Sequence, residues 1–151
     1  VPSPAPRRII QKDAIQSLIN DGFTVIGVGG GGIPVIEDEN GDLVGVEAVI
    51  DKDFASALLA ADIEADLLLI STAVEKVAIN FNKPDQQWLD EMSLEQAKEY
   101  LSQGHFGKGS MEPKMRAIIN FLEAGGQQAL ITNPENIERA LAGETGTRIV
   151  R

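Results

Sequence analysis

Between Lys12 and Asp21, Ile15, Leu18 and Ile19 recur at i, i+3 and i+4. That spacing predicts a short helix with one apolar face, and Gly22 suits its C′ position. Phe23 to Val28 is a continuous apolar run and predicts a buried strand, after which Gly29, Gly30, Gly31 and Gly32 follow without interruption. Asn40-Gly41 marks a tight turn. Leu43 to Ile50 predicts a returning strand that runs into Asp51-Lys52-Asp53, and Phe54 to Ala61 reads as a helix with Phe54, Leu58 and Ala61 on one face. Asp66 or Leu67 to Ser71 is apolar throughout, the pattern of a parallel strand covered on both sides. Ala78 to Phe81 reads as a short strand, and Asn82 to Glu91 as a polar loop carrying Pro84 and Trp88.

Ser93-Leu94-Glu95-Gln96 has the form of a capping box and predicts a helix to about Gln103, with Gly104 at C′. A second glycine-rich loop spans His105 to Glu112, and Pro113 is expected at the first position of the next helix. Ile118, Ile119 and Leu122 form that helix's inner face, and Gly125-Gly126 ends it. Gln128 to Thr132 predicts a strand, Asn133-Pro134 a helix to about Ala142, and Arg148 to Val150 a last strand. Strands alternating with helices predict an α/β fold, a three-layer α/β/α sandwich with a mostly parallel sheet. Residues 1–151 read as a single domain. Val1-Pro2-Ser3-Pro4-Ala5-Pro6 opens residues 1–8, which read as an extended connector. The chain starts with Val1, and its methionines are Met92, Met111 and Met115, so a fragment of a longer protein is expected.

Composition narrows the chemistry. Thirteen basic against twenty-three acidic side chains give a net charge of −10. That balance argues against nucleic acid as a general partner, since a phosphate backbone needs a basic face. There is no cysteine and one histidine, His105. Disulfides, thiolate metal sites and a multi-histidine metal site are thereby excluded, and a reducing, cytoplasmic setting is expected. No apolar run reaches the length of a membrane span.

The candidate chemistry lies at strand ends. Gly27 to Gly32 matches G-x-G-x-x-G, but Ile33-Pro34-Val35-Ile36 follows where a dinucleotide fingerprint needs a helix. The dinucleotide reading is rejected. Four residues without side chains remain, either a flexible turn or a backbone that approaches a ligand closely. Asp51-Lys52-Asp53 stands where α/β proteins place ligands, beyond a strand's carboxyl end. The plainer reading makes Asp53 a helix cap and Lys52 a solvated side chain. Lys114, expected in a first helical turn, opposes the helix dipole and needs a negative partner unless it is simply solvated. Thr72-Ala73-Val74 puts small residues at another strand end. His105 reads as structural or peripheral, and Trp88 as either a base-stacking group or a cover for the core's edge. Walker A and the protein-kinase motifs are absent.

Together these residues resemble the carbamate kinases of the amino acid kinase family, over essentially the whole chain. The resemblance rests on Val1-Pro2-Ser3-Pro4, Gly29 to Val35, Gly45 to Asp53, Gly109-Ser110-Met111 with Pro113-Lys114, and Gly143 with Gly146-Thr147. It implies an open α/β/α sandwich, the C-terminal nucleotide-binding half of a homodimeric enzyme. It also implies phosphoryl transfer between ATP and carbamate, giving ADP and carbamoyl phosphate, with Mg²⁺ held mainly by the nucleotide and no metal ligand from this chain. Lys52 and Lys114 would neutralise the transferring phosphoryl group, and Asp53 would orient them. Gly29, Gly30 and Gly31 would approach the phosphoryl or carbamate end. Thr72, Ala73, Val74, Ser110 and Met111 would line the nucleotide site. The superfamily often has Thr-Asp-Val in place of Thr72-Ala73-Val74, and Glu112 replaces a small residue. The alternatives are a non-catalytic nucleotide-binding module and a kinase for a related small acid.

Overall fold

The computed structural model describes residues 1–151. Its elements are α1 (Lys12–Asn20), β1 (Val35–Glu37), β2 (Leu43–Gly45), α2 (Lys52–Asp62), β3 (Leu68–Ser71), β4 (Val77–Ile79), β5 (Gln87–Leu89), β6 (Glu91–Ser93), α3 (Leu94–Ser102), α4 (Met111–Glu123), β7 (Gln128–Thr132), α5 (Ile137–Leu141) and β8 (Thr147–Val150). The central sheet has the order β3-β7-β8-β6. β3 with β7 and β6 with β8 are parallel, while β7 with β8 is antiparallel. Two small antiparallel ribbons, β1-β2 and β4-β5, stand apart from it.

The layers follow from side-chain alternation along β7. Ala129 and Ile131 join a buried cluster with Met115, Ile118, Phe121 and Leu122 of α4, Ala57 of α2 and Ala97 of α3. Leu130 points the other way, towards Ala140 of α5; both approach the Gly146 position to about 3.1 Å. Helices therefore cover both faces, the three-layer α/β arrangement expected. Thr147 ties the ribbon to the sheet: its hydroxyl accepts from the Val77 N–H at 2.8 Å and donates to the Leu89 carbonyl.

Several local expectations hold. Ser93 and Gln96 form the capping box, with the Gln96 N–H donating to Ser93 Oγ at 3.2 Å and the Ser93 N–H to Gln96 Oε1 at 2.8 Å. The β1-β2 hairpin turns at Asn40-Gly41, where the Asp38 carboxylate accepts from the backbone N–H of Asn40 and of Asp42. Those amides, Asp42's foremost, hold the Asp38 carboxyl below its ordinary value of 3.8.

Other expectations are corrected. Phe23 to Val28 is not a strand, and Ile26 is 97% exposed. A strand needs a neighbour, and no segment of this chain pairs with it. Leu43 to Ile50 is a strand only as far as Gly45; beyond it the Val46 N–H still reaches the Pro34 carbonyl, and the Val49 N–H donates to the Pro2 carbonyl at 3.0 Å. The polar loop Asn82 to Glu91 contains β5 and the first residue of β6, because Val77 to Ile79 supplies an antiparallel partner for Gln87 to Leu89. The helix placed from Pro113 starts at Met111, so Pro113 falls at its third position. The one after Asn133 begins as a 3₁₀ turn, Pro134–Asn136, before α5.

Candidate functional site

α2 starts at Lys52, and its N-cap is Asp51, whose carboxylate accepts from the Asp53 N–H at 2.7 Å. With capping done by Asp51, the Asp53 side chain is free for other work. It is buried, and its Oδ2 lies 3.1 Å from Lys114 Nζ and 3.7 Å from Lys52 Nζ. Lys114 is itself nearly buried, with its side chain 14% exposed, while Lys52 stands 57% exposed. The negative partner that Lys114 needs in the first turns of α4 is thus Asp53, on another helix and 61 residues away. One carboxylate holds two ammonium groups, one fixed and one open to solvent. An excess of positive charge remains available to an anion.

The glycine loop is built against the same junction. Val28 has φ +53°, Gly29 +51°, Gly31 +136° and Gly32 +99°. A Cβ on Gly31 would lie 1.8 Å from the Ile50 carbonyl oxygen, so only glycine fits there. Gly29, Gly30 and Gly32 line an open cavity of about 590 Å³, with Val28, Ile33 and Ala48 to Ile50 among its other walls. Gly31 does not line it; its backbone packs instead on Ile50, just before Asp51.

A second, more enclosed cavity of about 170 Å³ lies at the carboxyl end of β3 and the N-terminus of α4. Thr72, Ala73, Val74, Ser110 and Met111 all line it, together with Lys76, Phe81 and Trp88. The Thr72 N–H is fixed by the Thr132 carbonyl at 2.8 Å. His105 also reaches this cavity, held by Gln103 Oε1 at 3.0 Å and edge-on to Tyr100. Lys52, Asp53 and Lys114 line neither cavity. In sequence, Asp53 follows Ile50 of the first by three residues, and Lys114 follows Met111 of the second by three.

Glu112 does not face Lys114. Arg116, one turn on, donates to its Oε1 from Nε at 2.9 Å and from an NH₂ group at 2.7 Å. Its charge is taken up along the helix surface. No group of three or more His, Asp or Glu residues converges on a point that could hold a metal ion.

The chain as a whole has known relatives. The amino acid kinase family matches residues 2–133. The chain belongs to that family. It is 53% identical over 151 residues to a carbamate kinase-like protein, YahI, of Escherichia coli, covering 100% of this chain and 48% of the relative. It is 52% identical over 150 residues to a carbamate kinase of Thermoplasma volcanium, covering 99% of this chain and 49% of that protein. Among solved structures, Giardia lamblia carbamate kinase bound to AMP-PNP superposes with a TM-score of 0.95 at 44% identity, over 99% of this chain and 47% of its own. The chain spans about half the length of the relatives it matches. No helix is long and apolar enough to cross a membrane.

For this member of the amino acid kinase family, sequence reasoning missed Lys76 and Phe81. Lys76 is an ordinary surface residue by its neighbours, and only the fold brings it to the cavity and to its ion-pair partner Asp90. The run Ala78 to Phe81 puts Phe81 at a strand's end, whereas it sits in a turn beyond β4. The two asparagines around it, Asn80 and Asn82, are a turn signal that was available.

Proposed function

We propose that this chain is the nucleotide-binding half of a carbamate kinase-type phosphotransferase, moving a phosphoryl group between ATP and carbamate to give ADP and carbamoyl phosphate. One observation carries the reading. The five residues expected at the nucleotide line one cavity, and the helix that starts there delivers Lys114 to Asp53 beside Lys52. Such a transfer asks the protein to position reactants and to offset charge, and no covalent nucleophile is required. A carbamate oxygen attacks the γ-phosphorus, the bond to the β-phosphate bridging oxygen breaks, and ADP leaves with that electron pair. Lys52, half exposed, meets the charge on the transferring group. Asp53 holds Lys114 in place beside Lys52. Mg²⁺ would suit the phosphates of the nucleotide, whose oxygens are the hard ligands it takes.

A second reading, a nucleotide-binding module without turnover, is favoured by the open glycine cavity, by the exposed side chain of Ile33 in its wall, and by the exposed Phe23 and Ile26 that precede it in sequence. In a complete enzyme of this family that face would be covered and the carbamate end closed.

The test is calorimetric titration of the chain with Mg-ADP, followed by a reconstitution. Binding at micromolar strength is expected, with negligible turnover until the rest of an amino acid kinase fold is supplied as a second polypeptide. Lys52→Ala should then abolish the restored turnover while leaving the chain folded. No Mg-ADP binding by a folded chain overturns the reading. Binding with no turnover after the second polypeptide is supplied leaves the module reading in its place, and restored turnover unchanged in Lys52→Ala takes Lys52 out of the chemistry.

A further inference from the structure

Gln11 stands where a helix cap is expected and does not cap. It is the N-cap residue of α1, a position that Ser, Thr, Asp or Asn fills best, and its side chain makes no hydrogen bond to the helix it precedes. The Lys12 N–H is already taken by the Ile9 carbonyl at 3.2 Å. The other glutamine of α1, Gln16, is engaged, its Nε2 donating to Asn20 Oδ1 at 3.0 Å. Gln11 is exposed and lines the glycine cavity of about 590 Å³ instead.

In that wall it is unlike its neighbours. The rest of the lining is glycine backbone and the apolar side chains of Val28, Ile33 and Ala48 to Ile50. Gln11 is thus the one side chain there that can make a hydrogen bond, and its carboxamide carries both an acceptor and donors. The backbone adds further donors. The Gly29 N–H is closed onto the Gly27 carbonyl and the Gly31 N–H onto the Val28 carbonyl, while the N–H groups of Gly30 and Gly32 donate to no backbone carbonyl. Two open amides suit anionic oxygens. A neutral carboxamide suits a group that offers an N–H and a C=O side by side.

We propose that Gln11 sets the choice of acyl group in this cavity, pairing with the amino and carbonyl edge of carbamate and carbamoyl phosphate. This rests on the phosphotransferase reading above and names the residue that would select its substrate. Gln11 Oε1 accepts from the substrate's amino group, and Nε2 donates to the oxygen beside it, as two primary amides pair. In carbamate the second oxygen is left free to attack phosphorus. Acetyl phosphate has the same shape, with a methyl group in place of the amino group. It keeps the contact with Nε2 and leaves Oε1 unmet. One neutral hydrogen bond of this kind is worth roughly a factor of ten in affinity.

The test is a heteronuclear NMR titration of the isotope-labelled chain with carbamoyl phosphate, acetyl phosphate and inorganic phosphate. The signals followed are the Gly30 and Gly32 amides and the Gln11 side-chain amide, the last identified by its loss in Gln11→Leu. All three ligands should move the two glycine amides. Carbamoyl phosphate should bind roughly tenfold tighter than acetyl phosphate and should move the Gln11 signal. Gln11→Leu should bring those two affinities within about twofold of each other and leave inorganic phosphate unchanged, and Gln11→Ala should repeat the result.

A preference for carbamoyl phosphate that is unchanged in Gln11→Leu overturns the inference, and so does carbamoyl phosphate that moves none of these signals. Equal losses for all three ligands overturn it as well, since they make Gln11 a support of the loop and nothing more. Mg-ADP binding, measured on the same samples, separates the two readings. Where it persists, the kinase reading outlives any of these failures. Where the wild-type chain does not bind Mg-ADP, the kinase reading falls, and the ratio of the two acyl phosphates still decides the part of Gln11.

Discussion

Removing the Asp53 carboxylate leaves Lys114 stranded, and the structure sets how much that costs. At 3.1 Å the pair's attraction is about 5 kcal/mol for an effective dielectric near 20. Desolvation of two side chains that are 10% and 14% exposed offsets much of it. Truncation is governed by the charge that stays behind. After Asp53→Ala, no other carboxylate lies within ion-pairing distance of Lys114, and the expected loss is about 3 kcal/mol. After Lys114→Met, Asp53 still has Lys52 at 3.7 Å and sits in the first turn of α2, where a carboxylate is favoured. That variant should lose about 1 kcal/mol. The double variant should lose less than the sum by about 1–2 kcal/mol, because the stranded ammonium is gone. Urea unfolding followed by far-ultraviolet circular dichroism measures all four proteins, with an unchanged slope confirming that stability alone has moved. If Lys114→Met costs as much as Asp53→Ala, or the two losses simply add, the pair does not hold Lys114 in the way described.

Two further outcomes test the site's scaffold. Gly31→Ala puts a methyl group 1.8 Å from the Ile50 carbonyl oxygen at φ +136°, and should destabilise the loop by about 3 kcal/mol or more. Gly30→Ala, with nothing within 4 Å of the added carbon, should shift the thermal midpoint little. Equal effects from the two would refute the packing of the loop on Ile50. In native-state hydrogen exchange, the amides of Thr24 to Val28 donate to no backbone carbonyl and should exchange fastest among the apolar runs. Those of Ala129 to Ile131, in the middle of the central sheet, should approach the protection of global unfolding. Strong protection of Thr24 to Val28 would show that this segment finds a partner strand, a second copy of the chain included.

What the sequence discloses depends on how local the physics is. Ser93 to Gln96 states its own capping box, since both partners lie within four residues. Asp66 or Leu67 to Ser71 reads as a covered strand and Gln128 to Thr132 as a strand, and Leu68–Ser71 and Gln128–Thr132 pair in the central sheet of this chain. Phe23 to Val28 carries the same signal and has no neighbour here. An apolar run records what a segment needs, and whether the partner belongs to the same polypeptide is not written in it. Lys114 is the intermediate case. The helix dipole demands an anion near it, but the identity of that anion, Asp53 on α2, is a property of how two helices pack. β5 was hidden for a different reason: Gln87 and the polar residues before it outweigh Trp88 and Leu89 in any local count.

The same distinction divides the site. Every member of the buried cluster lies between Ala57 and Ile149, and Ile15 is the one buried apolar side chain before Ala55. The cavity lined by Thr72 to Val74 and Ser110-Met111 is therefore carried by a part of the chain that has its own core. The glycine cavity is carried by residues 11 to 50, which have almost none. Asp53 and Lys114 lie on α2 and α4, two helices that pack into that core, so the ion pair is fixed by packing that this chain supplies itself. A pocket built on a core needs no further ordering before a ligand binds, whereas a glycine loop whose Gly31 rests on Ile50 gains rigidity when its outer face is covered. On the proposed reading, nucleotide binding and phosphoryl transfer are thus separable on physical grounds: the first would draw on residues already in place, the second on a cavity still open.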